Sequence, residues 1–231
     1  MEALILAGGK AERLGDAAGG LPKPLVPVAG RPLAAYQVDR LVAAGVDRIV
    51  VACQASQGAL FEEALSGLGA EIVTAPESEP LGRGGGLRNA ATYLRARGPV
   101  FALNGDELTD VDFAGLLEHH QRGGGAATIV VAPLTSAFGV VDLDGDVVVG
   151  FSEAPRLPYW VNCGIYVLGE ETLARLPERG DHERSTFPEL AAEGKLRALR
   201  HEGVWLTVNT PKDLRVAEEF VSARSDRPGV L

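Results

Sequence analysis

The residues whose types and spacing invite chemistry stand near the start of the chain. Leu4-Ile5-Leu6-Ala7 runs directly into Gly8-Gly9-Lys10-Ala11-Glu12-Arg13-Leu14, a glycine-rich turn after an apolar run, where open α/β sheets commonly bind ligands. Glycines let backbone N–H groups approach phosphate oxygens closely, and Lys10 and Arg13 add cations able to neutralise a developing pyrophosphate. Taken alone, the turn also reads as an ordinary solvated loop. It has neither the G-x-G-x-x-G spacing of a dinucleotide fold nor the G-K-[ST] ending of a P-loop. A second segment follows, Leu21-Pro22-Lys23-Pro24-Leu25-Val26-Pro27-Val28-Ala29-Gly30-Arg31-Pro32-Leu33. Its prolines stiffen the backbone on both sides of Lys23, and a lysine held in place suits a phosphate.

The pair of motifs, L-A-G-G-x-x-x-R-L followed by P-K-P-L-x-P-V-x-G-x-P-L, resembles the sugar-1-phosphate nucleotidyltransferases, also called nucleotide-sugar pyrophosphorylases. The resemblance extends from Met1 to about Ala223. It implies an enzyme that joins a sugar 1-phosphate to the α-phosphate of a nucleoside triphosphate and releases pyrophosphate. On the matching positions it implies a triphosphate site at Leu6, Ala7, Gly8, Gly9, Lys10 and Arg13, with Arg13 on the leaving pyrophosphate. Lys23 falls on the lysine that binds phosphate at the reacting centre.

Further matches extend the resemblance. Asn104-Gly105-Asp106 closes an apolar run and corresponds to the family's N-G-D, so Asp106 is the expected ligand of a Mg²⁺ cofactor, an ion that takes hard oxygen donors. Trp205-Leu206-Thr207-Val208-Asn209-Thr210-Pro211 stands where the family carries W-x-D-x-G-T-P. Thr207 therefore replaces a second aspartate, which leaves the metal to Asp106, substrate phosphates and water, with Asn209 as a helper. Glu79–Asn89 is similar to the family's L-G-T-A-G-A-L and places a base-binding strip at Gly82, Arg83 and Gly84. Gly84 stands where thymidylyl-transferring relatives often have glutamine, a difference that tilts the reading toward guanylyl transfer. Gly139, Glu153 and Asn162 fall on the F/Y-G-V, E-K-P and N-x-G-x-Y motifs, whose polar groups hydrogen-bond the acceptor. Ala154 takes the place of the E-K-P lysine, and Arg156 is the candidate cation in its stead. Thymidylyl or uridylyl transfer, a cyclitol-phosphate acceptor and a noncatalytic sugar-nucleotide-binding module stay open as alternatives. A homo-oligomer is expected by analogy alone.

These residues need a scaffold, and the hydrophobic pattern supplies one. Short apolar runs at Glu2–Ala7, Arg48–Ala52, Glu71–Thr74 and Val100–Leu103 alternate with helical periodicity at Pro32–Ala44, Asn89–Arg97 and Phe113–Arg122, the mark of parallel β-α-β units. After Gly123-Gly124-Gly125 the texture turns to closely spaced strands, Ala127–Ala132, Gly139–Asp142, Val147–Phe151 and Trp160–Leu168. A last helix is expected from Pro211 to Ala223 with Thr210 as N-cap. The expected fold is α/β: a Rossmann-like, mixed but mostly parallel sheet flanked by helices, with an acceptor-binding subregion in its later part. Residues 1–223 read as one domain, with a nucleotide-binding half over 1–125, an acceptor-binding half over 126–223, and a tail at 224–231.

Composition narrows the function class. Of 231 residues 46% are hydrophobic and 23% charged, which suits a packed core, and the formal net charge of -9 disfavours nucleic acid or an anionic membrane as partner. No basic leader or spanning apolar stretch is seen, so a cytoplasmic location is expected. Cys53 and Cys163 lie in apolar runs and read as buried, reduced thiols. His119, His120, His182 and His201 lack metal-type spacing and read as surface residues.

Overall fold

The computed structural model describes residues 1–9 and 11–224. The first half contains β1 (Glu2–Leu6), the short pair β2 (Pro27–Val28) and β3 (Arg31–Pro32), α1 (Leu33–Ala43), β4 (Arg48–Gln54), α2 (Gly58–Ala64), β5 (Glu71–Glu77), α3 (Gly82–Ala91), β6 (Val100–Asn104), β7 (Glu107–Thr109) and α4 (Phe113–Gly123). The second half adds β8 (Ala127–Thr135), the hairpin β9 (Val140–Asp144) and β10 (Val147–Ser152), β11 (Arg156–Leu168), α5 (Glu170–Arg175), α6 (Thr186–Ala192), β12 (Leu196–Arg200), β13 (Trp205–Thr207) and α7 (Pro211–Ser222).

Seven strands form one sheet in the order β12-β8-β11-β6-β1-β4-β5. All neighbours are parallel except β11, which runs antiparallel to both β6 and β8. The mixed, mostly parallel α/β sheet read from the sequence is thus the observed one. Its central strands are buried on both faces, as continuous apolar runs such as Ala3-Leu4-Ile5 and Ile49-Val50-Val51 require. One core layer sets α1 and α4 against Ile5, Phe101 and Leu103, and another sets α3 and α6 against Leu4, Ala102 and Tyr166. Because β1 lies between β4 and β6, its carboxyl end opens at the middle of the sheet, where a ligand has room between flanking loops.

One expectation about the helices needs correction. The segment 89–97 is not a helix of its own; α3 starts at Gly82 and ends at Ala91, so the glycine strip lies inside the helix. Those glycines are there for close approach: a Cβ at Gly85 would lie 2.6 Å from the Glu178 carbonyl, and one at Gly84 2.7 Å from Pro177. The C-terminal helix begins where Thr210 caps it, with Asp213 returning the bond in a capping box. The tail expected at 224–231 falls outside the described residues except for Arg224, whose guanidinium stacks 3.8 Å over Phe220. No helix among the described residues is long and apolar enough to cross a membrane.

The cysteines are buried and unpaired, and burial pushes the Cys53 and Cys163 thiols up to about 11 and about 12. Two of the four histidines differ from the surface expectation. His120 is buried and bonds Thr128 at 3.0 Å, while His182 is fully buried, edge-on to Tyr166 and Phe187, with no hydrogen-bond partner on either ring nitrogen among the described residues. Desolvation pushes the His182 imidazole from 6.5 down to about 4, against the opposing pull of the Asp181 carboxylate and with some help from Arg83. Between those values the unfolded chain takes up a proton that the folded chain refuses. Stability is therefore full above pH 6.5 and falls as pH drops toward 4, by up to ~3 kcal/mol from this group. His182→Phe is expected to flatten that part of a urea-denaturation profile against pH; parallel profiles for variant and wild type would show that the ring is not held neutral.

Candidate active site

The site is assembled where three chain segments meet at the end of β1. Gly105 donates its N–H to the Leu6 carbonyl at 2.9 Å, and a Cβ at Gly105 would lie 2.7 Å from both that oxygen and Pro24 Cγ. Only a glycine lets the Asn104–Asp106 turn lie so close to the P-K-P segment. Pro24 and Leu25 are buried, and Lys23 heads a single 3-10 turn closed by Leu25 N–H to the Pro22 carbonyl at 2.8 Å. Lys23 and Asp106 therefore face each other from rigid backbone, and the Lys23 ammonium donates to Asp106 Oδ2.

The same ammonium donates to Asn209 Oδ1 at 2.6 Å, and Arg13, on the 3-10 segment Glu12–Ala18, donates to that oxygen at 2.7 Å. Asn209 is itself fixed, because its N–H donates to the Asp213 carboxylate of the capping box at 3.0 Å. Thr207, in contrast, pairs with Glu107 in the two-stranded β7–β13 ladder and does not line the cleft. Asn209 thus reaches the cleft beside Lys23, and Thr207 does not. Behind Asp106, Glu107 is 4% exposed; burial, with the Asp106 charge beside it, pushes its carboxyl well above the usual carboxylate range.

The cleft holds about 400 Å³ and is lined by Leu6, Ala7, Gly8, Gly9, Arg13, Lys23, Gly82, Arg83 and Asp106 from the sequence reading. A Cβ at Gly9 would meet no described atom within 4 Å, so the glycine turn leaves its floor open to the cleft. Lys10 lies outside the described residues. Arg83 is held toward the loop after α5, donating to Asp181 and pairing with Glu183 Oε2 at 2.8 Å. Gly84 is buried against Pro177 and His182 rather than on the cleft wall.

The residues expected to meet an acceptor stand apart from this wall. Gly139 and Glu153 are exposed neighbours flanking the open end of the β9–β10 hairpin, where a Cβ at Gly139 would lie 3.1 Å from Glu153 Oε2. Asn162 is half-buried on β11 and donates to Tyr166 Oη at 2.9 Å and Glu183 Oε1 at 2.8 Å. Arg156, the candidate cation for the sugar phosphate, instead pairs with Glu202 at 3.3 Å and lies over the Trp160 ring. Four lining residues are not among the site residues read from the sequence: Pro24 beside Lys23, Glu77 at the end of β5, Pro80, and Asn104 beside Asp106. The adjacent N-G-D motif pointed to Asn104, whereas no motif marked Glu77.

The donor set suits a divalent cation in a limited way. Two hard oxygens, Asp106 Oδ2 and Asn209 Oδ1, already converge on one cationic centre, the Lys23 ammonium. Among the described residues no group of three or more His, Cys, Asp or Glu side chains offers a complete cage. One carboxylate with phosphate and water oxygens is a common Mg²⁺ arrangement.

Comparison with known proteins places the chain in a family. The family profile described as Nucleotidyl transferase matches residues 2–224. A mannose-1-phosphate guanylyltransferase catalytic subunit beta from Danio rerio is 36% identical over 224 residues, covering 92% of this chain and 62% of its own length. A mannose-1-phosphate guanyltransferase from Aspergillus fumigatus is 36% identical over 228 residues with the same coverage. The chain thus spans about three fifths of the length of these relatives. Among solved structures, HddC from Yersinia pseudotuberculosis matches with a TM-score of 0.75 at 24% identity, over 95% of this chain and 99% of the other. The same protein complexed with GMP-PN matches with a TM-score of 0.73; at this identity the likeness concerns the fold.

Proposed function

We propose that this chain, which belongs to the Nucleotidyl transferase family, transfers a nucleotidyl group from a nucleoside triphosphate to the phosphate of a sugar 1-phosphate, the group being guanylyl. The observation that carries the reading is the Lys23 ammonium, clamped by Asp106 and Asn209 beside Arg13 in an open cleft at the end of β1. The acceptor phosphate oxygen is already ionised at neutral pH, so no general base is needed, and positioning with charge neutralisation dominates. That oxygen bonds to the α-phosphorus as the bond from the α-phosphorus to the bridging oxygen breaks, and the electron pair leaves with pyrophosphate. Lys23 holds the α- and acceptor phosphates together, and Arg13 takes the charge that grows on pyrophosphate.

Asp106, with the Asn209 amide oxygen, would hold the divalent ion, which when bound supplies further neutralisation of the phosphates. Gly139, Glu153 and Asn162 would meet the acceptor, and the relatives at 36% identity favour a hexose 1-phosphate such as mannose 1-phosphate. The absence of a second carboxylate among the cleft's described residues close to Asp106 favours one other reading, a module that binds sugar nucleotides without turnover. A panel of triphosphates against sugar and cyclitol 1-phosphates, read by pyrophosphate release, separates the two. GTP with a sugar 1-phosphate is expected to give the highest kcat/KM, and EDTA is expected to stop turnover until Mg²⁺ is restored. Saturable nucleotide binding with no pyrophosphate from any pair would overturn the transferase reading.

A further inference from the structure

The hairpin of β9 and β10 departs from the rest of the chain in what it shows to solvent. Thirteen large apolar side chains are exposed among the described residues, and ten of them fall between Phe138 and Trp160. None of the described side chains in that segment belongs to the hydrophobic core. In β1 and β4 equally apolar runs are buried. The ten together present on the order of 1,000 Å² of side chain, beyond the few hundred that a monomer keeps in one patch and about what one partner contributes to an interface of standard size.

The pairing register arranges part of this surface into a uniform face. Phe151 lies opposite Val141, and Val148 opposite Leu143, so these four side chains project from one side of the hairpin. The register shift at Val149 inserts one extra residue in β10 and keeps Val148 and Phe151 on that side. Asp142, opposite Gly150, and Asp144, opposite Val147, project from the other side. The four apolar residues are exposed by 42% at Val141 to 69% at Phe151, and none carries a charge. The two strands form a sheet of their own, apart from the seven-stranded one, and a two-stranded sheet without a cover is marginal in water. The face therefore calls for a partner surface of the same chemistry.

A second copy of the chain supplies one. With a formal net charge of -9, the chain repels its own kind wherever acidic surface meets acidic surface, and a two-fold axis brings each patch onto its own counterpart. Docking by the side that carries Asp142 and Asp144 would set carboxylates against carboxylates. Docking by the other side meets no such repulsion, and two apolar sheet faces pack well about 10 Å apart. From this uncharged, uncovered sheet face on an acidic chain, we infer that the chain forms a homodimer in which the β9–β10 hairpins of two copies pack face to face through Val141, Leu143, Val148 and Phe151. The inference does not draw on the transferase reading, and its test needs no turnover.

Sedimentation velocity at about 10 µM, well above the dissociation constants usual for interfaces of this size, is expected to give twice the mass of the chain. Leu143→Glu combined with Phe151→Glu places two carboxylates of each copy in the contact. It is expected to raise the dissociation constant by about 100-fold or more and to leave the far-UV circular dichroism unchanged, since neither side chain belongs to the core. Cysteine scanning locates the face without relying on that variant. Cys53 and Cys163 are buried, with thiols pushed up to about 11 and about 12, so an added cysteine is the reactive one. Under mild oxidation at least one of Val141→Cys, Leu143→Cys, Val148→Cys and Phe151→Cys is expected to give a covalent dimer, whereas Asp142→Cys and Asp144→Cys give none. A wild-type chain that sediments as a monomer overturns the inference. So does a dimer whose dissociation constant ignores the two glutamates, or one that crosslinks only through the aspartate positions, because its interface then lies elsewhere.

Discussion

Lys23→Ala is expected to lower kcat for pyrophosphate release by about 10²- to 10³-fold, the usual cost of removing one preorganised charge donor from a transition state, with a much smaller change in KM. The Lys23 side chain is 13% exposed and its ammonium is held by two oxygens, Asp106 Oδ2 and Asn209 Oδ1. It is therefore in place before substrate arrives and does not need to be gathered from solvent, which is the condition for a large electrostatic contribution. Charge migrates during transfer from the acceptor oxygen through the α-phosphoryl group to pyrophosphate, and a cation fixed beside that group follows it more closely than it follows the bound ground state. Loss of the lysine also leaves the Asp106 carboxylate without its partner, so part of the effect is repulsion of the triphosphate. Lys23→Arg separates these contributions: it restores the charge, but a planar fork cannot reproduce the single-point contact with both oxygens. Partial recovery of binding without recovery of kcat is expected. A Lys23→Ala enzyme that keeps more than a tenth of wild-type kcat would show that the lysine serves the fold rather than the reaction.

The parts of this site that lie within one short stretch of chain were legible in the sequence. The glycine turn, the P-K-P lysine and the N-G-D aspartate each declare their chemistry by local spacing, and the structure brings Gly8, Gly9, Arg13, Lys23 and Asp106 to one cleft. What depended on distant pairing was less legible. Asn209 sits 186 positions from Lys23, and the family pattern drew attention to Thr207, two residues earlier. In a strand two residues apart share a face, but β13 ends at Thr207, so Asn209 belongs to the cap of α7 and turns with it. Glu77 carries no such signal: Pro76 interrupts the apolar run, so the pattern ends the strand at Thr74, whereas pairing with β4 carries it to Glu77. Helix α3 begins earlier than its periodicity indicates for a different reason. Gly84-Gly85-Gly86 has poor intrinsic helix propensity, and here the packing of the 177–182 loop against those glycines overrides it.

Gly164→Ala is expected to be the most destabilising single methyl addition at the site, by about 2–5 kcal/mol, combining the cost of a left-handed backbone for a residue with a Cβ and that of overpacking. Gly164 lies on β11, inside the N-x-G-x-Y motif, at φ +72°. A Cβ there would collide with the Asn104 side-chain amide, lying 2.8 Å from its Cγ and 3.0 Å from Glu107 Oε1. Neither neighbour can yield cheaply. Asn104 lines the cleft beside Asp106, and its backbone carbonyl accepts from Gln37 at 2.8 Å; Glu107 is buried and its carbonyl accepts from the same amide at 2.8 Å. The glycine therefore sets how closely β11 approaches the turn that carries Asp106, and a methyl group would displace that turn. Two readouts should move together: the urea midpoint falls, and the folded fraction that remains loses kcat, because the Asp106 carboxylate is displaced. Gly145→Ala provides the control. Gly145 has a similar φ of +63°, but a Cβ there meets nothing within 4 Å. Only the backbone cost of about 1–2 kcal/mol applies, with kcat unchanged. Equal losses for the two variants would mean that backbone conformation, and not the contact with Asn104 and Glu107, is what position 164 contributes.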